Sequence, residues 1–545
     1  MIGSGAGGAS VAWGLVSQGA EVLLLEAGPR FDPSVDYPQD RSDWERHAFP
    51  QKPGSRTQVV YGDLGILNAD DLDLMRWSKV AGRDVPVLGR ARVASGGGYS
   101  HVMGVGGSTL HFVGEAHRLH PGAFRLHSLT DAGVDWPMSY QALEPYYSKI
   151  EHAIGVAGTD AGPGRVQSRE FPMPAHPLSP GAGVLAEAGR KIGRPWAVNP
   201  RAVNSRVYDE RPACNYCGQC SRGCPLGDKA SMDVSLLRRA MDSGRLTIVS
   251  EAQVTRLLLG NQGVISAVEV VSQGQKHRVE TPQVVLAAGA VNSPRLLLVS
   301  ANAEQPDGIA NGSGQVGRNF METLWWNSAG LLPGLRNSHM GLPADATDWS
   351  MAHPTSVPGL AGGYKLTHTT LDTGLNGPIG YAARLLPGFG AEWKAQMRAR
   401  FGSAVSVGAV GQVIADERSK VSLDPEQVDA FGMALPRIDS VLTGNSLALL
   451  REMARGCREV LSSAGVEIAE ETSNWDAFQS THVFGTARMG LDSAEAVVDG
   501  QGRSFDHPNL WIADASVFPS SGAGEAPSLT IMALAARTAD AILAG

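Results

Sequence analysis

Three glycines near the start of the chain, Gly3, Gly5 and Gly8, stand in the order G-x-G-x-x-G within MIGSGAGGASVAWGLV. In this order the first glycine permits a tight turn, the second lets a dinucleotide diphosphate approach the backbone, and the third lets a helix pack closely on a strand. Small and apolar residues over 6–15 suit that helix, and the run 20–25 reads as a buried parallel strand. The amino terminus of the helix then faces the phosphates. Glu26 ends the strand, where a carboxylate accepts hydrogen bonds from an adenosine ribose. Loop, helix, strand and acid together predict a dinucleotide-binding α/β domain. Only Met1 and Ile2 precede the motif, so its first strand is either shortened or cut off by a truncated or late start.

At 545 residues the chain has room for two to four domains of roughly 100–200 residues. With 43% hydrophobic and 18% charged residues it can bury a large core. Lys and Arg number 46 against 54 Asp and Glu, without a run of five like charges, so nucleic acid is not an expected partner. No stretch of about 18 apolar residues marks a transmembrane helix. A glycine motif this early also leaves no place for a signal peptide.

Along the chain, residues 29–56 read as irregular and 96–107 as a second glycine cluster. Leu143, Tyr146, Tyr147, Ile150 and Ile154 repeat at helical spacing. A helix is expected over 235–241, strands over 246–250, 254–259, 283–288 and 510–513, and a last helix over 528–543. The region 323–470 is the least regular and suggests a separate substrate-facing sheet interleaved with loops.

Cys214, Cys217, Cys220 and Cys224, followed by Pro225, form C-x2-C-x2-C-x3-C-P. Thiolates at this spacing can hold an iron–sulfur cluster, as in bacterial ferredoxins, where the fourth cysteine serves a second cluster. A three-cysteine cluster, a structural zinc site and disulfides are the alternatives. Cys457 has no partner in the pattern and reads as core.

Further segments, GVGGSTLHF from Gly104, LAAGAVNSPRLLL from Leu286, HVFGTARMG from His482 and HPNLWIADASVFPSSG from His507, are joined by VGRNFME and DWPMSYQALEPYY. With the glycine motif they resemble, in order and over nearly the whole chain, the glucose-methanol-choline (GMC) oxidoreductases. The resemblance implies an α/β fold: an FAD-binding Rossmann-like domain with an interleaved substrate-binding domain on a mostly antiparallel sheet. The expected division gives 1–125, 226–322 and 478–545 to FAD, and 126–225 and 323–477, including the cysteine-rich insertion 214–224, to substrate.

Within the resemblance, Gly106, Gly107 and Ser108 match the loop under the flavin diphosphate and ring. His111 matches a position that carries a covalent flavin bond in some members and a packed, non-covalent contact in others. Val254 matches the strand residue at the adenine, and Asp514 and Ala515 the final strand at the flavin ring and ribityl chain. His482 matches the catalytic histidine, a residue type that titrates near neutrality and suits proton removal from a hydroxyl. The family's second His or Asn, just before a proline, is replaced by Ala526 before Pro527 in a loop one residue longer. Glu525 from that loop either accepts the hydroxyl proton or is a solvated loop residue.

Bacterial sugar and gluconate dehydrogenases of the family carry a cysteine-rich insertion at this place. The resemblance therefore implies a dehydrogenase of a sugar, glycoside or sugar acid, passing electrons through an iron–sulfur cluster to a cytochrome or quinone, with a small accessory subunit as a partner. Cytoplasm and periplasm are both open, the second by co-export with that subunit. An oxygen-using oxidase, a lyase with a redox-silent flavin and a non-catalytic subunit are the competing readings. Trp325, Trp326 and Tyr364 are candidates for stacking on a sugar ring, with core packing as the alternative.

Overall fold

The computed structural model describes residues 1–37, 99, 101–474 and 481–545, with the backbone of the strands Met75–Val80 and Arg83–Asp84. Most of the irregular stretch 29–56 and the glycines at 96–98 lie outside the described residues.

The apolar run Val22–Leu25 pairs in parallel with Leu246–Val249, and Leu510–Ile512 pairs in parallel with Val284–Leu286. Ile2 joins these halves by bridging Leu25 on one side and Leu286 on the other, both in parallel. Its N–H donates to the Val285 carbonyl at 2.9 Å, and the Ala287 N–H donates to its own carbonyl at 2.8 Å. The first strand is thus represented by one bridging residue, enough to close the Rossmann-like sheet.

Helix Ala6–Val16 packs against the final helix Ser528–Ala544. A Cβ on Gly14 would lie 2.7 Å from the Ala539 methyl, so the two helix backbones come unusually close. Helix Tyr140–Ile154 follows the expected pattern: Ser139 Oγ accepts the Ala142 N–H, Leu143, Tyr147, Ile150 and Ile154 are buried, and Gly155 closes it at a φ of 76°.

The second layer is a six-stranded sheet in the order Glu467–Ser473, Leu324–Leu331, Ala404–Gly411, Tyr364–His368, Ala346–Asp348, Trp196–Val198. Every neighbour in it is antiparallel, as expected of the interleaved sheet. The region 323–470 is far more regular than its sequence suggests. Ala404–Gly411 is buried on nearly every residue, so no alternation marks it as a strand. The 21-residue helix Gly444–Ala464, capped by Thr443 and ended by Gly465, covers this sheet and was not foreseen. Trp326 and Tyr364 belong to the core, in line with the packing reading of these aromatics.

The two layers meet where the short strand Val483–Phe484 pairs antiparallel with Met321–Glu322. That junction presents His482. Because Leu450 is fully buried in the covering helix, Leu450→Ala should cost about 2–5 kcal/mol. A lowered urea midpoint checks this.

Candidate active site

The segment 3–8 is shaped by lack of room. A Cβ on Gly8 would lie 2.0 Å from the Gly3 carbonyl oxygen, and one on Gly7 would lie 1.6 Å from that of Ala513. Gly3 has a φ of 93°, which favours glycine. Gly5 is the N-cap of helix Ala6–Val16 and brings no capping side chain, so the first amide groups are left for an anion. Glu26 Oε2 accepts from Ser4 N at 3.0 Å and Ser4 Oγ at 2.6 Å, and Oε1 accepts from Gly28 N at 2.9 Å. A carboxylate offers about four acceptor sites, so one remains for a ribose hydroxyl.

The 104–108 segment lies directly on this motif. Ser4 Oγ accepts the Gly106 N–H at 3.0 Å, and a Cβ on Gly107 would come within 2.8 Å of the Gly5 Cα. Ser108 and Gly107 begin a 3-10 turn, Gly107–Leu110, that ends at His111. The His111 ring is turned toward the cysteine loop, its Nδ1 2.7 Å from the Ser221 carbonyl oxygen. Asp514 Oδ2 accepts from Gly289 N at 2.9 Å and Ser293 Oγ at 2.5 Å, while Oδ1 accepts from Ser516 N. Ala515 follows it, and the buried Ser516 hydroxyl has no partner. Val254 is buried in strand Ala252–Leu259. A glycine-only cradle, an uncapped helix end and an unpartnered hydroxyl fit a dinucleotide with a polar tail.

His482 is half-buried, its backbone carbonyl accepting from Thr323 N at 3.1 Å, and its Nδ1 is buried without a partner. Burial lowers its pKa to about 4; Glu115 pulls it upward and Lys365 pushes it further down. The imidazole is therefore neutral across the ordinary pH range and free to accept a proton. Lys365 Nζ donates to Glu115 Oε1 at 2.8 Å, as does Asn199 Nδ2. Burial opposes the Glu115 charge, yet Lys365, His117 and Arg201 outweigh it and hold the carboxyl below its usual range.

His117 anchors the loop at the alanine. The Ala526 N–H donates to its Nδ1 at 2.9 Å, and its Nε2 lies 2.6 Å from Asn199 Oδ1, so Nε2 carries the proton. Both nitrogens are committed, and burial holds its pKa well down. Glu525 Oε1 accepts from Arg165 at 2.6 Å and from His120 N at 3.0 Å; Oε2 is buried without a partner. Glu525 is thus a buried ion-pair residue rather than a solvated one. Glu115, His117, Arg165 and Lys365 escaped the sequence reading. The visible signals were GEAHRLH just after the 104–112 segment and a lone lysine in the strand Tyr364–His368.

The four cysteines of 214–224 share one loop as free thiols. Cys224 Sγ donates to Asp228 Oδ1 at 2.5 Å. Burial raises all three of the less exposed thiols: Cys220 to about 11, Cys224 to about 12 with Asp228 adding to it, and Cys214 likewise with Asp228. Among the described residues no three His, Cys, Asp or Glu side chains are arranged to hold a metal ion. The expected iron–sulfur ligands are therefore brought to one loop but not gathered around one point.

The family profile described as GMC oxidoreductase matches residues 105–324 and 415–535, and a profile for an NAD(P)-binding Rossmann-like domain matches 1–62. The chain is 28% identical to the fructose dehydrogenase large subunit of Gluconobacter japonicus, covering 100% of this chain and 97% of that one. It is 30% identical to the paromamine 6'-oxidase of Streptomyces fradiae, over 99% and 90%. Its fold is like that of the pyridoxine 4-oxidase from Mesorbium loti, with a TM-score of 0.63, 21% identity and coverage of 100% and 98%. The chain belongs to the GMC oxidoreductase family. It is an FAD-dependent oxidoreductase acting on CH–OH donors.

Gly8→Ala should displace the Gly3 carbonyl and lower the flavin-to-protein absorbance ratio of the purified enzyme severalfold. Since His482 stays neutral down to about pH 4, flavin reduction by substrate should be flat from about pH 8 to 5 and fall only below that. Stopped-flow reduction rates across that range check it.

Proposed function

We propose that this enzyme is a dehydrogenase oxidising an alcohol group of a sugar, glycoside or sugar acid, with residues 1–125, 226–322 and 478–545 serving FAD and 126–225 and 323–477 serving the substrate. The observation that carries it is a neutral imidazole with an unpartnered nitrogen, His482, delivered to the junction of the two sheets. His482 takes the hydroxyl proton. FAD bound there would supply the hydride acceptor, N5, for the carbinol hydrogen.

Gly3, Gly5, Gly8, Glu26, Gly106, Gly107, Ser108, His111, Val254, Asp514 and Ala515 would hold that group. Burial, with Lys365 adding to it against the opposite pull of Glu115, keeps His482 unprotonated before the alcohol arrives. The Arg165–Glu525 pair and His117 fix the 522–526 loop from behind, which assigns Glu525 to the wall of the site. The sugar class rests on relatives such as the fructose dehydrogenase large subunit and paromamine 6'-oxidase. The words "large subunit" in the first of those names support an accessory partner.

A cluster held by the 214–224 loop would let electrons pass singly from reduced flavin to a cytochrome or quinone. The case for an iron–sulfur cluster at Cys214, Cys217, Cys220 and Cys224 is their spacing and the two buried cations beside Cys220, Arg201 and Lys229. The thiols do not converge on one point among the described residues.

Anaerobic mixing with a panel of sugars and alcohols should bleach the flavin with one sugar class. His482→Ala should slow that bleaching by about 10²–10⁴-fold while the bound-flavin spectrum persists. Unchanged bleaching would remove His482 as the base. Iron and acid-labile sulfide in stoichiometric amounts would support the cluster, and their absence from an anaerobically purified enzyme would reject it.

A further inference from the structure

The 214–224 loop is tied to the flavin segment by one buried cation. Lys229 Nζ donates to the Leu110 carbonyl at 2.9 Å, the Phe112 carbonyl at 2.9 Å and the Cys220 carbonyl at 2.7 Å. Its side chain is 1% exposed, and its ammonium also lies 5.2 Å from the centroid of the Phe112 ring. An ammonium has three donors, and here all three are spent on backbone carbonyls. The first of those carbonyls belongs to the turn that rests on the dinucleotide motif, the second to Phe112 just beyond it, and the third to the buried cysteine.

A second tie runs parallel to the first, from His111 Nδ1 to the Ser221 carbonyl at 2.7 Å. On the outer side, a Cβ on Gly223 would lie 2.5 Å from the Tyr37 ring, so that ring closes over the loop. Backbone contact is therefore continuous from Gly5 through Gly107 to Leu110, and through Lys229 to Cys220. Neither Lys229 nor its three carbonyls is used by the proton-transfer step.

We propose that Lys229 is a positioning residue that seats the cysteine loop on the flavin segment and so sets the coupling between reduced flavin and a one-electron acceptor. This rests on the reading that electrons leave through the 214–224 loop. Each reduced flavin returns to the oxidised form by giving up two electrons and two protons, and two acceptor molecules such as ferricenium take one electron each.

The test uses the flavin-loaded full chain with Lys229→Met and Lys229→Arg. Alkylation of Cys220 by iodoacetamide, read by mass spectrometry in the native protein, should rise at least tenfold in Lys229→Met and return toward the wild-type rate in Lys229→Arg. Enzyme reduced anaerobically with stoichiometric dithionite and mixed with ferricenium should reoxidise at least tenfold more slowly in Lys229→Met. Bleaching by a sugar should stay within about twofold of wild type.

A Cys217→Ser/Cys220→Ser variant in the same mixing experiment separates this proposal from the reading beneath it. If the cysteine variant reoxidises normally, the exit route falls, and with it the coupling role of Lys229. If the cysteine variant is slow while Lys229→Met changes neither alkylation nor reoxidation, the seating role is overturned. Should Lys229→Met fail to retain flavin, Lys229→Gln, which keeps two donors on a shorter reach, is carried through the same measurements. The same two outcomes decide it.

Discussion

Backbone meets backbone where Gly5 of the 3–8 segment touches Gly107 of the 104–107 segment, and the rest of the dinucleotide cradle is registered on that contact. Glycine is required there because the space for a Cβ is already taken by carbonyl oxygens and a Cα. Ser4 completes the joint, its backbone N–H donating to Glu26 while its hydroxyl bonds both Glu26 and the Gly106 amide. One small residue thus fixes the ribose-binding acid and the flavin segment relative to each other. The parallel sheet behind it holds the motif still at Ile2, which bonds Val285 and Ala287 on one side while its neighbours Met1 and Gly3 bond Leu25 on the other.

The proton-handling part of the site is set by burial rather than by sequence neighbours. His482 is neutral because water is excluded around it, and the pair Glu115–Lys365 pulls in opposite directions on that charge. His117, both nitrogens occupied, anchors the Ala526 amide instead of serving as a second acid or base. The place left by the expected polar partner before Pro527 is filled by a fixed backbone.

The Rossmann-like half was legible because its signals are local: glycine spacing, an apolar strand and an acid at its end. The antiparallel half was not, because Ala404–Gly411 is buried on both faces and loses the alternation that betrays a half-exposed strand. Helix Gly444–Ala464 went unseen within a region read as a sheet interleaved with loops. His482 stood out by its segment, whereas Lys365 and Arg165 gain meaning only through partners far along the chain, at Glu115 and Glu525. The cysteine spacing was plain in the sequence, but spacing alone does not say whether thiols converge, and here they do not.

Trp349 lies among opposed charges. The Arg165 guanidinium sits 4.3 Å and the Lys365 ammonium 5.5 Å from its ring centroid, each cation paired with its own buried carboxylate, Glu525 or Glu115. Taking one member from a buried pair leaves an uncompensated charge, typically worse than losing both. This cluster can therefore be remodelled only two residues at a time. Relatives that accept differently shaped alcohols should differ here by paired exchanges, with each cation and its carboxylate kept or lost together.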